Sequence, residues 1–314
     1  MPQIRVTVAV ITYNRSRFLR QTLAGLVKQD YPPALWELLV IDNNSTDDTA
    51  DIVYGFMAAT PPPRRILEVA PGLDSGRNRA VIEAKGDVIV LIDDDILIGP
   101  DWLSRLVGPF NSVSAHQIGV VGGEVIPVFP DGLPPWLEGV HRPLALRSDT
   151  GPLGPAQWPM GANFAFPRWV FAKLGNFDTH LDRRGAQLFG GGDTDMVRRV
   201  RAAGLEAWFV PGARVQHQIP ASRLTFSYAA RHAFDSARSR IVERCRTLKE
   251  SRRAAAPFLL SRALGSAAKL VLFGVQAAAL FVIFRTGSAK RAVVRAWRSC
   301  GYLYQIARSL VGKV

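Results

Sequence analysis

Three consecutive carboxylates, Asp93, Asp94 and Asp95, follow the apolar run Val88 to Ile92. Carboxylates this close repel one another, so their joint ionisation calls for a compensating cation. Asp93 and Asp95 can turn two oxygens to one side, a donor set suited to Mg²⁺ or Mn²⁺. An arbitrary acidic triplet is more often a solvated turn. After a four- or five-residue apolar strand the balance changes, because open α/β sheets bind ligands at the carboxyl ends of their strands.

Four other groups could join such a site. Asp42, in Val40-Ile41-Asp42-Asn43-Asn44-Ser45, also ends an apolar run. It could accept hydrogen bonds from a base or ribose; an Asx turn capping the next helix explains it equally well. In Gly72-Leu73-Asp74-Ser75-Gly76-Arg77-Asn78 the glycines permit close approach, and Arg77 could reach phosphate or base. In Gly190-Gly191-Gly192-Asp193-Thr194-Asp195 the acids suit a helix N-terminus by the dipole alone. Alternatively, Asp193 is a general base reached through a flexible approach. His217 is either a structural histidine or the completion of a metal site from the far side of a cleft. No P-loop Lys-Ser/Thr ending and no GxGxxG after the first strand are present, which argues against an ATPase and an NAD enzyme.

The elements that would position these groups alternate. Strands are expected at Val6–Ile11, Leu38–Ile41, Ile66–Val69 and Val88–Ile92, with helices at 18–27, 47–57 and 77–84. Strands apolar on both faces belong to a parallel sheet covered by helices. Four alternations in about 95 residues predict an open α/β sheet wound by right-handed crossovers. Further on, a helix is expected at Trp102–Phe110. The proline-rich stretch 127–159 reads as a loop. A strand at Asn163–Phe166, helices at 168–174 and 194–203, and short strands at 207–210 and 214–217 follow. From Leu224 onward the pattern is helical. Thr12-Tyr13-Asn14-Arg15 interrupts the first apolar run with no small-residue cleavage site, so no secretory signal peptide is expected there.

The chain of 314 residues carries 39 Lys and Arg against 26 Asp and Glu, a net charge of +13. Residues 1–220 hold 21 basic and 23 acidic side chains, whereas residues 251–314 hold 11 basic and no acidic ones. The basicity is therefore a property of the C-terminal part. A near-neutral body argues against nucleic acid, and a basic, apolar tail points to an anionic membrane surface. Two cysteines, Cys245 and Cys300, exclude a disulfide framework and fit a reducing compartment. With 48% apolar residues and a mean hydropathy of +0.07, the chain is neither disordered nor polytopic.

Taken in order, these motifs resemble the inverting family 2 nucleotide-sugar glycosyltransferases of GT-A fold, of the bacterial surface-polysaccharide type. The resemblance runs from Val10-Ile11-Thr12-Tyr13-Asn14-Arg15 through Gln29-Asp30-Tyr31-Pro32, Asp42 to Asp47, Gly76-Arg77-Asn78 and Asp93-Asp94-Asp95. It continues through Gly161-Ala162-Asn163-Phe164-Ala165-Phe166 and Gly192-Asp193-Thr194-Asp195 to Pro211–His217, covering about residues 4–225. It implies a Rossmann-like, mostly parallel sheet with helices on both faces in residues 1–225. It also implies inverting, metal-dependent transfer from a nucleotide-diphosphate sugar, with a UDP-sugar the expected donor, to a saccharide or lipid-linked acceptor. Thr12, Tyr13, Asp42, Arg77, Asp93 and Asp94 would then bind the nucleotide sugar. Asp95, with Asp93 and His217, would hold Mg²⁺ or Mn²⁺. Asp193 would be the base, with Asn163, Gly192 and Asp195 on the acceptor side. The family often has Glu-Asp where this chain has Gly192-Asp193, which makes Asp195 the reserve candidate for the base. A sugar nucleotidyltransferase would want a Gly-rich basic loop near the N-terminus, and a non-catalytic scaffold would not need the carboxylate set.

Residues 226–314 are expected to form a basic, helical, membrane-associating tail. Leu270 to Phe284 holds one polar side chain, Gln276, but extension back to Phe258 takes in Arg262 and Lys269. A crossing needs about 20 apolar residues. With basic residues on both flanks, in-plane or re-entrant helices at the cytoplasmic face are expected ahead of one transmembrane helix. The body is expected to stand without residues 251–314.

Overall fold

The computed structural model describes residues 4–112, 115–140, 146–182, 188–247 and 252–310. Among them the strands are β1 (Val6–Thr12), β2 (Trp36–Asp42), β3 (Pro63–Leu67), β4 (Val88–Asp93), β5 (Ile96–Ile98), β6 (Ile118–Val128), β7 (Gly151–Pro152), β8 (Asn163–Pro167) and β9 (Glu206–Gln218). The α-helices are α1 (Ser16–Leu26), α2 (Thr49–Tyr54), α3 (Leu73–Glu83), α4 (Trp102–Val107), α5 (Arg168–Leu174), α6 (Gly192–Ala202), α7 (Phe226–Thr247), α8 (Arg252–Val282) and α9 (Thr286–Leu310).

The strands form one sheet in the order β3-β2-β1-β4-β8-β6-β9-β5, with β7 beside β9. The first four are parallel, β8 runs against β4 and β6, and β6 and β9 are parallel again. Both faces are covered because successive side chains of a strand point to opposite sides. Val6, Val8 and Val10 pack with Leu19, Leu23 and Leu26 of α1 on one face. Ala9 and Ile11 pack with Ala80, Leu91 and Phe164 on the other.

The expected mixed α/β sheet is present, with local differences. Helix α3 begins at Leu73 rather than Arg77, so Arg77 sits inside a helix and faces the core. Strand β3 begins at Pro63, a first position where proline's missing N–H donor is tolerated. The expected strands at 207–210 and 214–217 are one strand, β9. A register shift between Gly123 and Val125 of β6 absorbs Pro211 to Arg214. Strand β6 escapes the sequence pattern because Gly119, Gly122, Gly123 and Pro127 break its β signature. At Gly123 a β-carbon would fall on the Ala213 carbonyl oxygen, so the approach of β9 requires glycine there.

The chain divides into two compact units: Met1–Val128 with Arg142–Thr179 and Gly192–Gln218, and Phe129–His141 with His180–Gly191 and Ile219–Val314. The first contains the sheet. In the second, α7, α8 and α9 share a core of Ala237, Ile241, Leu259, Tyr302 and Ile306. Gly301 lets α9 lie against the backbone of Phe234 in α7. A cut at residue 251 would therefore strip α7 of its packing partners. Residues Ala256–Val282 are long and apolar enough to cross a membrane, and only 6% of their most apolar stretch is buried.

Candidate active site

Strand register brings the candidates to one edge. Thr12 pairs with Asp42 across β1 and β2, and Ile11 pairs with Asp93 across β1 and β4. The loops beyond are stitched together. Asn14 adopts φ 51°; its backbone N–H donates to Ser45 Oγ (3.0 Å), and its Oδ1 accepts from Thr46 N (2.7 Å). Asp47 Oδ2 accepts from Ser16 N at the start of α1 (2.9 Å). Asn43 donates to the carbonyls of Glu68 and Ala70 and accepts from Gly72 N, which fixes the approach to α3.

Asp42 is fully buried. Its Oδ1 accepts from Ser45 N (2.8 Å), the Asx turn, and its Oδ2 is gripped by Arg65 through Nε (2.9 Å) and Nη2 (2.5 Å). Arg65 is about two-fifths exposed, so this ion pair has one solvent-facing side. Tyr13 is 57% exposed at the same edge, whereas Thr12 is buried.

Asp93, Asp95 and His217 each turn a ligand atom to a common point, all within 4.8 Å of one another. His217 Nε2 lies 3.0 Å from Asp95 Oδ1. β9 delivers this histidine by running past its bulge to pair with β5, His217 opposite Ile96. Two hard carboxylates and one imidazole suit Mg²⁺ or Mn²⁺, so the residues present fit such an ion. The other side of the triplet faces Arg15, whose Nη1 contacts Asp95 Oδ2 and lies 3.1 Å from Asp94 Oδ1. Burial opposes the Arg15 charge, but Asp94 and Asp95 outweigh it and hold its pKa above the ordinary value. Burial pushes the Asp94 carboxyl up to about 6; Asp95 adds to the rise, against Arg15 and the Thr12 hydroxyl.

A second charged group adjoins the first. Arg77 is fully buried; its Nη1 donates to Asp74 Oδ1 (2.8 Å), its Nη2 to the Gly161 carbonyl (3.3 Å), and its guanidinium lies over the rings of Phe164 and Phe177. Burial works against this charge, but the carboxylates of Asp74, Asp193 and Asp93 raise its pKa. Asp193 opens α6, with Oδ1 accepting from Thr194 N (2.8 Å). Gly161 sits between the two groups. A β-carbon there would stand 2.6 Å from Arg77 Nη2 and 3.0 Å from Asp193 Oδ2. At Gly192, a β-carbon would overlap the Asp74 carboxylate.

The structure brings Thr12, Tyr13, Asp42, Asp93, Asp94, Asp95 and His217 to one sheet edge, with Arg77 and Asp193 coupled beside it. Two of the expected acceptor-side residues are committed elsewhere. Asn163 has no exposed surface. Its Nδ2 donates to the Ala213 and Glu124 carbonyls at the bulge, and its Oδ1 accepts from Trp102 Nε1 (3.0 Å). Asp195 pairs with Arg199 (2.9 Å) and Arg198 (3.6 Å) on its own helix. Sequence reasoning gave no role to Arg15, Arg65 or Asp74. The break of the first apolar run at Tyr13-Asn14-Arg15 was the available signal for Arg15; nothing local marks Arg65.

The pattern of glycosyl transferase family 2 matches residues 7–164, half of the chain, from β1 into β8. The chain belongs to this family. Among its relatives is the glucosyl-dolichyl phosphate glucuronosyltransferase of Haloferax volcanii, 27% identical over 248 residues, 74% of each chain. The succinoglycan biosynthesis protein ExoM of Rhizobium meliloti is 25% identical over 74% of this chain and 73% of its own. The probable glycosyltransferase YdaM of Bacillus subtilis is 28% identical, and the match covers 51% of its length. Among solved structures, a mannosyltransferase from Pyrobaculum calidifontis in complex with GDP-Man and Mn²⁺ superposes with a TM-score of 0.64 at 20% identity, over 99% of this chain and 88% of that one. Staphylococcus aureus TarS 1–349 superposes with a TM-score of 0.54 at 16% identity, over 98% and 92%. This family 2 glycosyltransferase thus has the GT-A fold, and its acidic edge lies at the carboxyl ends of the sheet strands.

Proposed function

We propose that this glycosyltransferase moves a sugar from a nucleotide-diphosphate donor, a UDP-sugar, to a saccharide or lipid-linked hydroxyl, with inversion at the anomeric carbon. The observation that carries the reading is the meeting of Asp93, Asp95 and His217 at one point beside Asp193 and Arg77. Solved neighbours that hold GDP-Man and Mn²⁺, or UDP, support it by analogy. Asp93, Asp95 and His217 would hold the cation, which would neutralise charge on the diphosphate.

Asp42 and Arg65 present the hydrogen-bonding wall at the base end, with Tyr13 exposed for stacking. Arg15 fixes Asp94 and Asp95, so the carboxylates are oriented before the donor arrives. Asp193 accepts the proton of the acceptor hydroxyl as its oxygen bonds to the anomeric carbon. The bond from that carbon to the diphosphate oxygen breaks, and its electron pair leaves on the nucleoside diphosphate. The Arg77 guanidinium lies near the Asp193 carboxylate and carries a complementary charge there. A single displacement needs no protein nucleophile.

In the same reading the enzyme lies on an anionic membrane surface at the cytoplasmic face, in-plane rather than spanning, and the basic residues of the second unit support it. Residues Arg262 and Lys269 within the apolar stretch of α8 support that orientation. The testing experiment is a donor panel assayed by nucleotide release from purified protein, with Mn²⁺ or with excess EDTA. The anomeric configuration of the product is read by NMR. Turnover undiminished in EDTA, or a retained configuration, overturns the reading.

A further inference from the structure

In the second unit, α7, α8 and α9 border an open cavity of about 520 Å³, at whose walls Arg240, Lys269, Arg295 and Arg298 are exposed. Arg240, Arg262, Lys269, Arg295 and Arg298 line it, and no acidic residue does. None of the five forms an ion pair among the described residues, and residues 251–314 contain no carboxylate side chain to offer one. Five cations gathered with no ion-pair partner among the described residues repel one another, and an anion seated among them would relieve that repulsion.

The guanidinium groups are held by rings and hydroxyls instead. Arg262 lies over the Tyr302 ring at 4.1 Å, and Arg240 Nη1 donates to the Tyr302 hydroxyl (3.2 Å). Arg295 lies over Phe273 at 5.8 Å. The Arg262 Nε is buried with no hydrogen-bond partner among the described residues. These donors are therefore placed before any ligand arrives, which lowers the ordering cost of binding.

The cavity walls also include Phe258 and Phe273, and exposed Leu272 and Val275 flank Phe273 along α8. A soluble anion has no use for that apolar border. We propose that this cavity is a stoichiometric site for the phosphate headgroup of an anionic lipid, whose chain lies along the exposed apolar face of α8. Arginine forks and the lysine ammonium suit phosphate oxygens, and the apolar face suits an acyl or prenyl chain. The site is built within the second unit alone and does not depend on the transfer chemistry of the sheet edge.

The experiment uses the full chain and co-flotation with phosphatidylcholine vesicles, with and without phosphatidic acid. Arg262→Gln with Lys269→Gln removes two cavity charges. Arg285→Gln with Lys290→Gln removes two exposed charges of the same region outside the cavity. The cavity pair is expected to weaken binding to phosphatidic acid vesicles about tenfold or more, as loss of charge-assisted hydrogen bonds does. With both pairs compared at about 0.5 M salt, where diffuse attraction to the surface is largely screened, the outer pair should change it less than about threefold. Arg298→Gln, at the exposed rim, repeats the test without a buried substitution should the cavity pair melt early. Equal losses from both pairs would mean a diffuse basic surface and overturn the site. So would unaltered binding in the cavity variants. Full displacement by inorganic phosphate at concentrations that leave the outer-pair contribution intact would make it a site for a free anion, not a lipid. Nucleotide release from the soluble donor should be unchanged in every variant.

Discussion

The carboxylate of Asp74 stands where a side chain on residue 192 would have to go. The two residues belong to different helices, α3 and α6, and their contact fixes where α6 begins relative to Arg77. A glycine at 192 is therefore a packing requirement of the Asp74–Arg77 ion pair. The glutamate that the family often carries at this point has no room here.

Gly192→Ala should be destabilising by about 1–3 kcal/mol, the usual cost of overpacking a filled site. Turnover should fall with it, because the displaced residue adjoins Asp193. Thermal denaturation alongside nucleotide release tests this; an alanine variant that melts with the parent protein would show that the contact is soft.

Asp74→Ala leaves Arg77 buried without its ion-pair partner. Breaking a buried pair from one side costs about 3–5 kcal/mol. The double change Asp74→Leu with Arg77→Met should recover part of that loss, since it removes both charges. Urea midpoints of the three proteins would decide it, and a double variant no more stable than Asp74→Ala would contradict the pairing.

Asp193→Asn should retain nucleotide-sugar affinity while transfer falls about 10²-fold or more, the contribution of a general base. Calorimetry of donor binding, paired with turnover, separates the two effects. Lost donor affinity would instead make Asp193 a metal or structural residue and send the search for the base elsewhere.

His217→Ala and Asp95→Ala each remove one member of the three-ligand cluster. Weaker Mn²⁺ binding, read directly by electron paramagnetic resonance of the free ion, is expected in both, with the larger loss in Asp95→Ala, which forfeits an anionic oxygen. Arg15 should make Asp95→Ala costly to stability as well, because its guanidinium keeps only Asp94. Wild-type Mn²⁺ affinity in His217→Ala would remove the imidazole from the ligand set.

The strands and the acidic edge were legible because their signals are local. A run such as Val88 to Ile92 followed by three carboxylates states both the strand and its useful end. What was not legible depends on partners far apart in the chain. Arg65 is an unremarkable residue of an edge strand until β3 is laid beside β2 and its guanidinium meets Asp42. Asn163 looked like an acceptor contact, yet its amide holds carbonyls some 40 to 50 residues away, at Glu124 and Ala213. Strand β6 was hidden by its own glycines, which close packing with β9 demands. The basic tail was visible as composition, but its shared core with α7 was not, since no periodicity tells which helices face one another.

The bulge in β9 makes that strand a counting device. Downstream of Pro211 to Arg214, the chain has only Val215 and Gln216 in which to recover its pairing before His217. Strand side chains alternate, so one residue more or fewer in this stretch would turn the imidazole to the opposite side of the sheet and offer a glutamine to Asp95 instead. A change of two residues would restore the side but shift the ring by about 6.6 Å along the strand, beyond reach of both carboxylates. The length of this crossing therefore matters more than the identity of its residues. Pro211, Gly212 and Ala213 should tolerate substitution far better than they tolerate insertion or deletion.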